Sequence, residues 1–205
     1  DARSVHCLLR TATAPFRPVG CTRVVLTDPR DPAAPLPFEV SCAAALDRSI
    51  IDPARLPRER IAEISRLAVH RDYRRRRGEE HTPVHIDSSD FSDGDRPRFP
   101  FVPTSLLLGA VALADCSGID TVFVLTEPRL AAHFTKLGVE VIQIGQAIEH
   151  RGRRIPSVMH VDEIIRNMRP ILHPLWQRVR AEIGRGFEEA GRGKGQQGLP
   201  TTHNG

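Results

Sequence analysis

The chain has 205 residues, 40% of them hydrophobic, which is enough for one buried core and too few for two large ones. Its net charge of +4 would allow a nucleic-acid partner. However, Tyr73 is the only aromatic residue among the arginines from Arg71 to Arg77, and RNA-binding surfaces usually interleave several rings with their arginines. We expect no nucleic-acid partner, and either an acidic protein partner or a solvated loop explains the basic run.

Location and cofactor content can also be predicted from composition. No apolar run approaches the roughly 20 residues of a membrane span, and the start of the chain lacks a signal-peptide layout, so we expect no membrane span and a cytoplasmic protein. The four cysteines have no paired short spacing, which argues against a zinc knuckle and a disulfide framework. His81, His85 and Asp87 have a spacing that could bind a metal, but a solvated polar loop is favoured and no metal is expected.

The first part of the chain contains two predicted strands, at residues 4–10 and 21–26, with turn material at 18–20. Residues 28–57 are rich in proline and aspartate and predict a long excursion, with one short apolar piece at 40–46. A third strand follows at 63–69.

The second part begins with another predicted long loop, at residues 71–100. The elements expected after it are a helix at 105–116, a buried strand at 121–125, a helix at 128–137, strands at 139–148 and 155–161 that form a hairpin, and a helical stretch at 162–187 broken by Pro170 and Pro174. This order predicts a mixed α/β sheet in a single domain over residues 1–188, with a disordered tail at 189–205.

The third strand carries two charged residues, Glu63 and Arg66, within an apolar run. Burying an unpaired charge is costly, so such residues indicate either a site for a charged ligand or an internal ion pair between strands. In a regular strand, residues three apart point to opposite faces. We therefore expect a bulge or bend near Ser65, or separate duties for the two residues.

Three segments together resemble a known family: Glu63-x-Ser65-Arg66, the earlier run from Gly20 to Arg23, and the helix at 106–118 followed by the strand at 121–126. They resemble the acyl-homoserine-lactone autoinducer synthases and the related N-acyl amino acid synthases. The run at 61–69, followed by arginines, is most similar to the PEP-CTERM/exosortase system-associated acyltransferases. The resemblance implies the GNAT acyltransferase fold, a mixed central sheet flanked by helices.

The resemblance also implies a charged acceptor site. In the autoinducer synthases, the matching arginines and glutamate belong to that site, which points to Arg23, Glu63 and Arg66, with Ser65 beside them. The family has an N-terminal helical region and an acidic stretch before its second strand. Since this chain begins at Asp1, we expect the N-terminal part of the domain to be missing from it.

The acyl donor is predicted from the arginine-rich turn. The GNAT pyrophosphate loop is matched only in part at residues 75–80, because Glu80 stands where a small residue would let phosphate approach. The resemblance implies acyl carrier protein as the donor, since autoinducer-type enzymes are typically served by it, and its acidic surface would be attracted to the arginines. We therefore favour acyl carrier protein over acyl-coenzyme A as the co-substrate, with no permanently bound cofactor. The residues expected to contact the carrier protein or its phosphopantetheine are Arg74, Arg75, Arg76, Arg77 and Gly78.

Amide formation needs a base, because an ammonium group has no lone pair with which to attack a thioester. Glu63, between apolar neighbours, should have a raised pKa and could take the proton. Arg23 and Arg66 have the fork geometry that fits a carboxylate of the acceptor. The apolar residues that could form an acyl-chain groove, or simply the core, are Leu107, Leu108, Phe123 and Leu125.

The sequence thus predicts an N-acyltransferase that joins a fatty acyl group from acyl carrier protein to a small amine, favouring an amino acid over the acceptor of a lactone synthase. The alternatives are an acetyl-coenzyme A-dependent GNAT acetyltransferase and a truncated domain that binds an acyl ligand or carrier protein without turnover.

Overall fold

A mixed β-sheet forms the centre of the structure, a computed structural model that describes residues 3–74, 101–150 and 152–195. Within these ranges the sheet has seven strands in the order β1-β2-β3-β4-β7-β5, with β6 paired to β7. The strands are β1 (Ser4–Arg10), β2 (Pro18–Leu26), β3 (Ile61–Val69), β4 (Thr121–Thr126), β5 (Ile142–Gln143), β6 (Ile148–Glu149) and β7 (Arg153–His160). The mixed α/β sheet predicted from the sequence is confirmed.

The helices lie between these strands and after them. They are α1 (Pro37–Ser41), α2 (Arg71–Arg74), α3 (Phe101–Cys116), α4 (Pro128–Lys136), α5 (Val161–Asn167) and α6 (His173–Gly195). Short 3-10 turns occur at Pro53–Arg55, Arg58–Arg60 and Pro170–Leu172. In the described part of the chain, no helix has the length and apolar character needed to cross a membrane.

β3 and β4 are the central parallel pair of the sheet, and the other strand pairings are antiparallel. Both strands are covered on two sides, which explains why residues 61–64 and 121–124 are buried without alternation. The helix α3 provides the long crossover that a parallel pair requires.

Two cores lie on opposite faces of the sheet. On the helix face, Val24, Ile64 and Val122 pack with residues of α3 and α6 such as Val111 and Trp176. The loop face is covered instead by residues 27–60, and its core consists of Val25, Leu36, Phe38, Cys42, Ile61, Phe123, Ile144 and Val158. The long excursion predicted at 28–57 is therefore a structured segment that covers the loop face of the sheet.

Two differences from the predicted elements occur early in the chain. Residues 18–20, predicted as a turn, are part of β2, because the connection from β1 lies at 11–17. Gly20 suits this strand position, since a Cβ there would lie 2.7 Å from the carbonyl oxygen of Ala68 and 2.8 Å from Leu106. The loop predicted at 71–100 begins with α2, and residues 75–100 lie outside the described part.

Three differences occur later. The strand predicted at 139–148 is reduced to β5 and β6, because Gly145 lies against the backbone of Ala45 and pairs with Leu46 in an isolated bridge. Pro174 does not break a helix but lies in the first turn of α6, where its missing N–H is not needed. Finally, α6 continues to Gly195, past the boundary predicted at residue 188.

Candidate active site

A crevice opens in the middle of the sheet, between the carboxyl ends of β3 and β4. The last pair that joins the two strands is Ile64 with Val124, although both strands are described to their ends. Beyond that point β3 stays paired with β2 as far as Val69, and β4 stays paired with β7 as far as Thr126. Ligands of open α/β sheets bind outside the carboxyl ends of parallel strands.

β3 carries a bulge next to this crevice. Between the cross-strand pairs Arg23–Ser65 and Cys21–Ala68, β2 has one intervening residue and β3 has two. Arg66, the first of those two, has a φ of 54°, in the left-handed region that residues with a side chain rarely adopt. The bulge predicted near Ser65 is therefore confirmed, and it leaves the Arg66 side chain exposed.

Glu63 lies one residue before the last β3–β4 pair, on the loop face. Its side chain is only 6% exposed, and its Oε2 accepts a hydrogen bond of 2.7 Å from the backbone N–H of Phe38. Burial raises the pKa of this carboxyl above its ordinary value, against the opposing effects of the Phe38 N–H, a hydrogen bond from Ser65 and the charge of Arg23. A buried carboxyl with a raised pKa is suited to accept a proton from a substrate.

Arg23 reaches Glu63 through Ser65. The Nε and Nη2 atoms of Arg23 donate to the Ser65 Oγ at 3.1 and 3.0 Å. Because the Ser65 oxygen accepts both bonds, its own proton can be donated to Glu63, and this is the Ser65 hydrogen bond that lowers the pKa of Glu63. The three residues therefore form one hydrogen-bonded chain on the loop face.

α1 covers Glu63 on the loop face of the sheet. Pro37 occupies the first helical position, and the Glu39 carboxylate accepts a 2.7 Å hydrogen bond from the Leu36 N–H, so the turn is fixed at its start. The Phe38 ring stacks on Phe123 of β4, with centroids 4.5 Å apart and 14° between the planes. These contacts hold the Phe38 N–H over Glu63.

The predicted site residues are brought together only in part. Glu63, Ser65 and Arg23 form the chain described above, whereas Arg66 is exposed at the bulge and has no described bond to them. For the carrier-protein contacts, only the backbone of Arg74 is described, at the end of α2, and residues 75–78 lie outside the described part.

The proposed acyl-groove residues divide between the two faces. Phe123 and Leu125 belong to the loop-face core on the Glu63 side. Leu107 and Leu108 are each 1% exposed within the helix-face core, across the sheet from Glu63. The structure therefore does not bring these two leucines together with Glu63, because the apolar pattern of α3 does not show which face of the sheet the helix covers.

Sequence reasoning missed Glu39 and Arg58, which form an ion pair of 2.9 Å under the loop cover. The signal was available for Glu39, a charge inside the apolar run at 36–40, which is the same pattern that singled out Glu63. His6 was also missed. It pairs with Arg23 in the β1–β2 ladder and is exposed on the same face.

Other reactive groups in the described ranges are histidine, cysteine and acidic side chains. Within those ranges, no group of three or more histidine, cysteine or acidic residues could hold a metal ion. Cys7, Cys21, Cys42 and Cys116 are free thiols, and burial raises the pKa of Cys42, beside α1, to about 11. His81, His85 and Asp87 lie outside the described part.

Comparison with protein families gives one match. The family model described as an acetyltransferase (GNAT) domain matches residues 1–83, which include β1, β2 and the whole of β3. A comparison with curated proteins gives no match.

Three solved structures have a similar fold. TofI in an apo form has a TM-score of 0.51 at 18% identity, over 82% of this chain and 75% of TofI. BjaI, a CoA-dependent acyl-homoserine lactone synthase, has a TM-score of 0.51 at 18% identity, over 90% of this chain and 66% of BjaI. FeeM, an N-acyl amino acid synthase from uncultured soil microbes, has a TM-score of 0.51 at 14% identity, over 82% of this chain and 78% of FeeM.

These comparisons concern the fold. The described part of the chain has the GNAT fold, with a mixed sheet of seven strands flanked by helices, as the sequence predicted. It is structurally similar to a lactone synthase and to an N-acyl amino acid synthase. The chain spans just under two thirds of BjaI.

Proposed function

We propose that this protein is an N-acyltransferase that transfers a fatty acyl group from acyl carrier protein to the amine of an amino acid-like acceptor. The observation that carries the proposal is the buried Glu63 carboxylate, held by the Phe38 N–H and the Ser65–Arg23 chain where β3 and β4 part. The GNAT family match and the solved structures of similar fold support acyl transfer as the reaction class.

The reaction requires Glu63 to remove one proton from the attacking amine. The amine nitrogen forms a bond to the thioester carbonyl carbon, the carbon–sulfur bond breaks, and the thiol of the carrier leaves with a proton. A carboxylate whose pKa is raised by burial is a stronger base than an exposed one, which suits it to take a proton from an ammonium or amine. Placing both substrates in the crevice supplies much of the remaining rate.

The acceptor would be held by its carboxylate. Arg66 is exposed beside the crevice, so its guanidinium is accessible to an acceptor carboxylate in the two-bond geometry typical of arginine. Arg23 already donates two bonds to Ser65 and therefore orients the Glu63 environment as well as adding positive charge. This favours an acceptor that carries a carboxylate near its amine.

The proposal also names the acyl donor and where it binds. An acidic carrier protein would be attracted to the basic run at residues 74–77, and the acyl chain would lie against Phe123 and Leu125 on the loop face. An association with an exosortase system follows only from the sequence resemblance. Exosortase genes next to the gene for this protein would support it.

The experiment is mass spectrometry of lipid extracts from cells that express the full chain, its Glu63→Gln variant or its Glu59→Gln variant. Glu59 is exposed in the turn just before β3 and serves as the matched control. The proposal expects new N-acyl amino acids with the wild type and Glu59→Gln, and none with Glu63→Gln. If no strain makes a new amide although the protein is folded, or if Glu63→Gln makes as much as the wild type, the proposal is wrong.

A second candidate is an acetyl-coenzyme A-dependent acetyltransferase, which the description of the matching family model favours. The purified protein should then release coenzyme A from acetyl-coenzyme A faster than from long-chain acyl donors when amines are supplied. Faster release of the carrier thiol from long-chain acyl carrier protein would support the fatty acyltransferase instead.

A further inference from the structure

The Glu39–Arg58 ion pair lies in the loop cover above the sheet and is mostly buried. The side chains of Arg58 and Glu39 are 14% and 8% exposed. Arg58 binds Glu39 through both ends of its fork, with Nη2–Oε2 at 2.9 Å and Nη1–Oε1 at 3.2 Å. The cost of desolvating two charges largely offsets their attraction, so a buried ion pair contributes little net stability. The pair therefore suggests a role other than stabilising the fold.

Arg58 also joins distant parts of the cover. It donates to the backbone carbonyls of Pro32, Ala34 and Pro53 at 3.1, 2.9 and 3.3 Å. The guanidinium therefore connects the segment that leads into α1 with the 3-10 turn at Pro53–Arg55, while Arg58 itself lies in the turn just before β3. These bonds help to fix where α1 lies relative to β3.

Glu39 links Arg58 to the turn that contains Phe38, whose N–H binds Glu63. Its Oε2 accepts a hydrogen bond of 2.7 Å from the Leu36 N–H. Phe38, between these two residues, is also held by its ring on Phe123 and by the Cys42 thiol, which donates to the Phe38 carbonyl at 2.7 Å. The Phe38 N–H, bonded to Glu63, thus has its direction fixed from several sides.

We infer that Glu39 and Arg58 are positioning residues for Glu63: they hold the Phe38 N–H on its carboxylate and place a second buried carboxylate beside it. This inference rests on the proposed function, in which Glu63 is the base. Neither residue contacts substrate in this scheme. Both act through Phe38, and Glu39 also acts through its charge.

The charges around Glu63 give the inference a distinctive consequence. The groups that face it are Arg23 on β2, Ser65 on β3, and the Phe38 N–H, Glu39 and Cys42 on α1 and its end. The negative charge of Glu39 contributes to raising the pKa of Glu63, while Arg23 and Ser65 lower it. Removing the Glu39 charge should therefore lower the pKa of Glu63 and weaken it as a base.

The test compares Glu39→Gln with Glu59→Gln and the wild type. The amide oxygen of Glu39→Gln can still accept the Leu36 hydrogen bond, so the turn should form. Because Glu63 becomes a weaker base, we expect kcat with acyl carrier protein as donor to fall, by up to about tenfold, with a KM within about twofold. The acid limb of the pH–rate profile should move to lower pH in Glu39→Gln and stay in place in Glu59→Gln.

A measurement that does not need turnover separates this inference from the proposed function. The titration of the Glu63 carboxyl can be followed by carbon NMR in the full chain, and it should move to lower pH in Glu39→Gln only. An inactive wild type would count against the proposed function and leave this titration valid as a test. If Glu39→Gln titrates at Glu63 as the wild type does, Glu39 does not act on Glu63 by its charge and the inference is wrong.

Discussion

Replacing Ser65 with alanine should damage the site without removing either charged residue. Ser65 Oγ accepts two hydrogen bonds from Arg23, at 3.1 and 3.0 Å, and contributes a hydrogen bond that lowers the pKa of Glu63. A hydrogen bond to a charged group contributes about 1.5–3 kcal/mol. If one such bond is fully lost in the transition state, kcat falls roughly 10- to 150-fold.

The pH dependence of Ser65→Ala gives a second, independent readout. Since the Ser65 hydrogen bond lowers the pKa of Glu63, its loss raises that pKa, and the acid limb of the pH–rate profile should move to higher pH. The assay is release of the carrier thiol from acyl carrier protein, measured across the pH range with the acceptor in excess.

Two variants control this experiment. Ser117→Ala removes a buried hydroxyl that has no hydrogen-bond partner among the described residues, so its kinetics should match the wild type. Ser65→Thr keeps a hydroxyl in a strand, where β-branched residues are favoured, and should recover most of the rate. A profile that stays in place in Ser65→Ala, or a loss as large in Ser117→Ala, would refute the reasoning.

Three further predictions concern stability and substrate selection. Burial raises the pKa of Glu63 above its ordinary value of 4.5, so the folded protein binds this proton more tightly than the unfolded chain does. The free energy of unfolding of the wild type, measured by urea titration, should therefore fall as the pH rises from 4.5 through the raised pKa. Glu63→Gln should not show this loss. Leu125→Trp should shorten the acyl chains that are accepted, as measured with a series of acyl donors, whereas Leu107→Ala should cost about 2–5 kcal/mol of stability and leave chain preference unchanged. His6→Ala should raise the KM for the acceptor several-fold and leave the KM for the donor unchanged. The reason is that His6 pairs with Arg23 between β1 and β2, and Arg23 pairs with Ser65 between β2 and β3, so the three side chains are neighbours on one face of the sheet.

The sheet could be predicted because its strands have recognisable local sequence patterns. β4 is a continuous apolar run, and β3 keeps its apolar residues on both sides of Glu63, as central parallel strands do. The bulge followed from a conflict between the charged residues and the two-residue period of a strand. The interruption at Gly145 could not be predicted, since it depends on the backbone of Ala45, a hundred residues away.

The candidate site was predictable only as far as its residues share a strand or a ladder. Glu63 and Ser65 lie two apart on one strand, and Arg23 pairs with Ser65 directly, so their side chains meet. Glu39 and Arg58 reach the site through a cover of irregular backbone, whose path depends on contacts such as the stacking of Phe38 on Phe123. Leu107 and Leu108 lie on the other face from Glu63, which the sequence did not show because the pattern of α3 is apolar all round.

The central claim is that Glu63 is the base for amide formation, and the pH dependence of kcat tests it most directly. The purified full chain would be given acyl carrier protein loaded with a fatty acyl group and an amino acid, with amide product measured from low to neutral pH. We predict that the wild-type rate rises through one ionisation above 4.5 and that Glu63→Gln lacks this rise and most of the rate. An unchanged rise in Glu63→Gln would contradict the account.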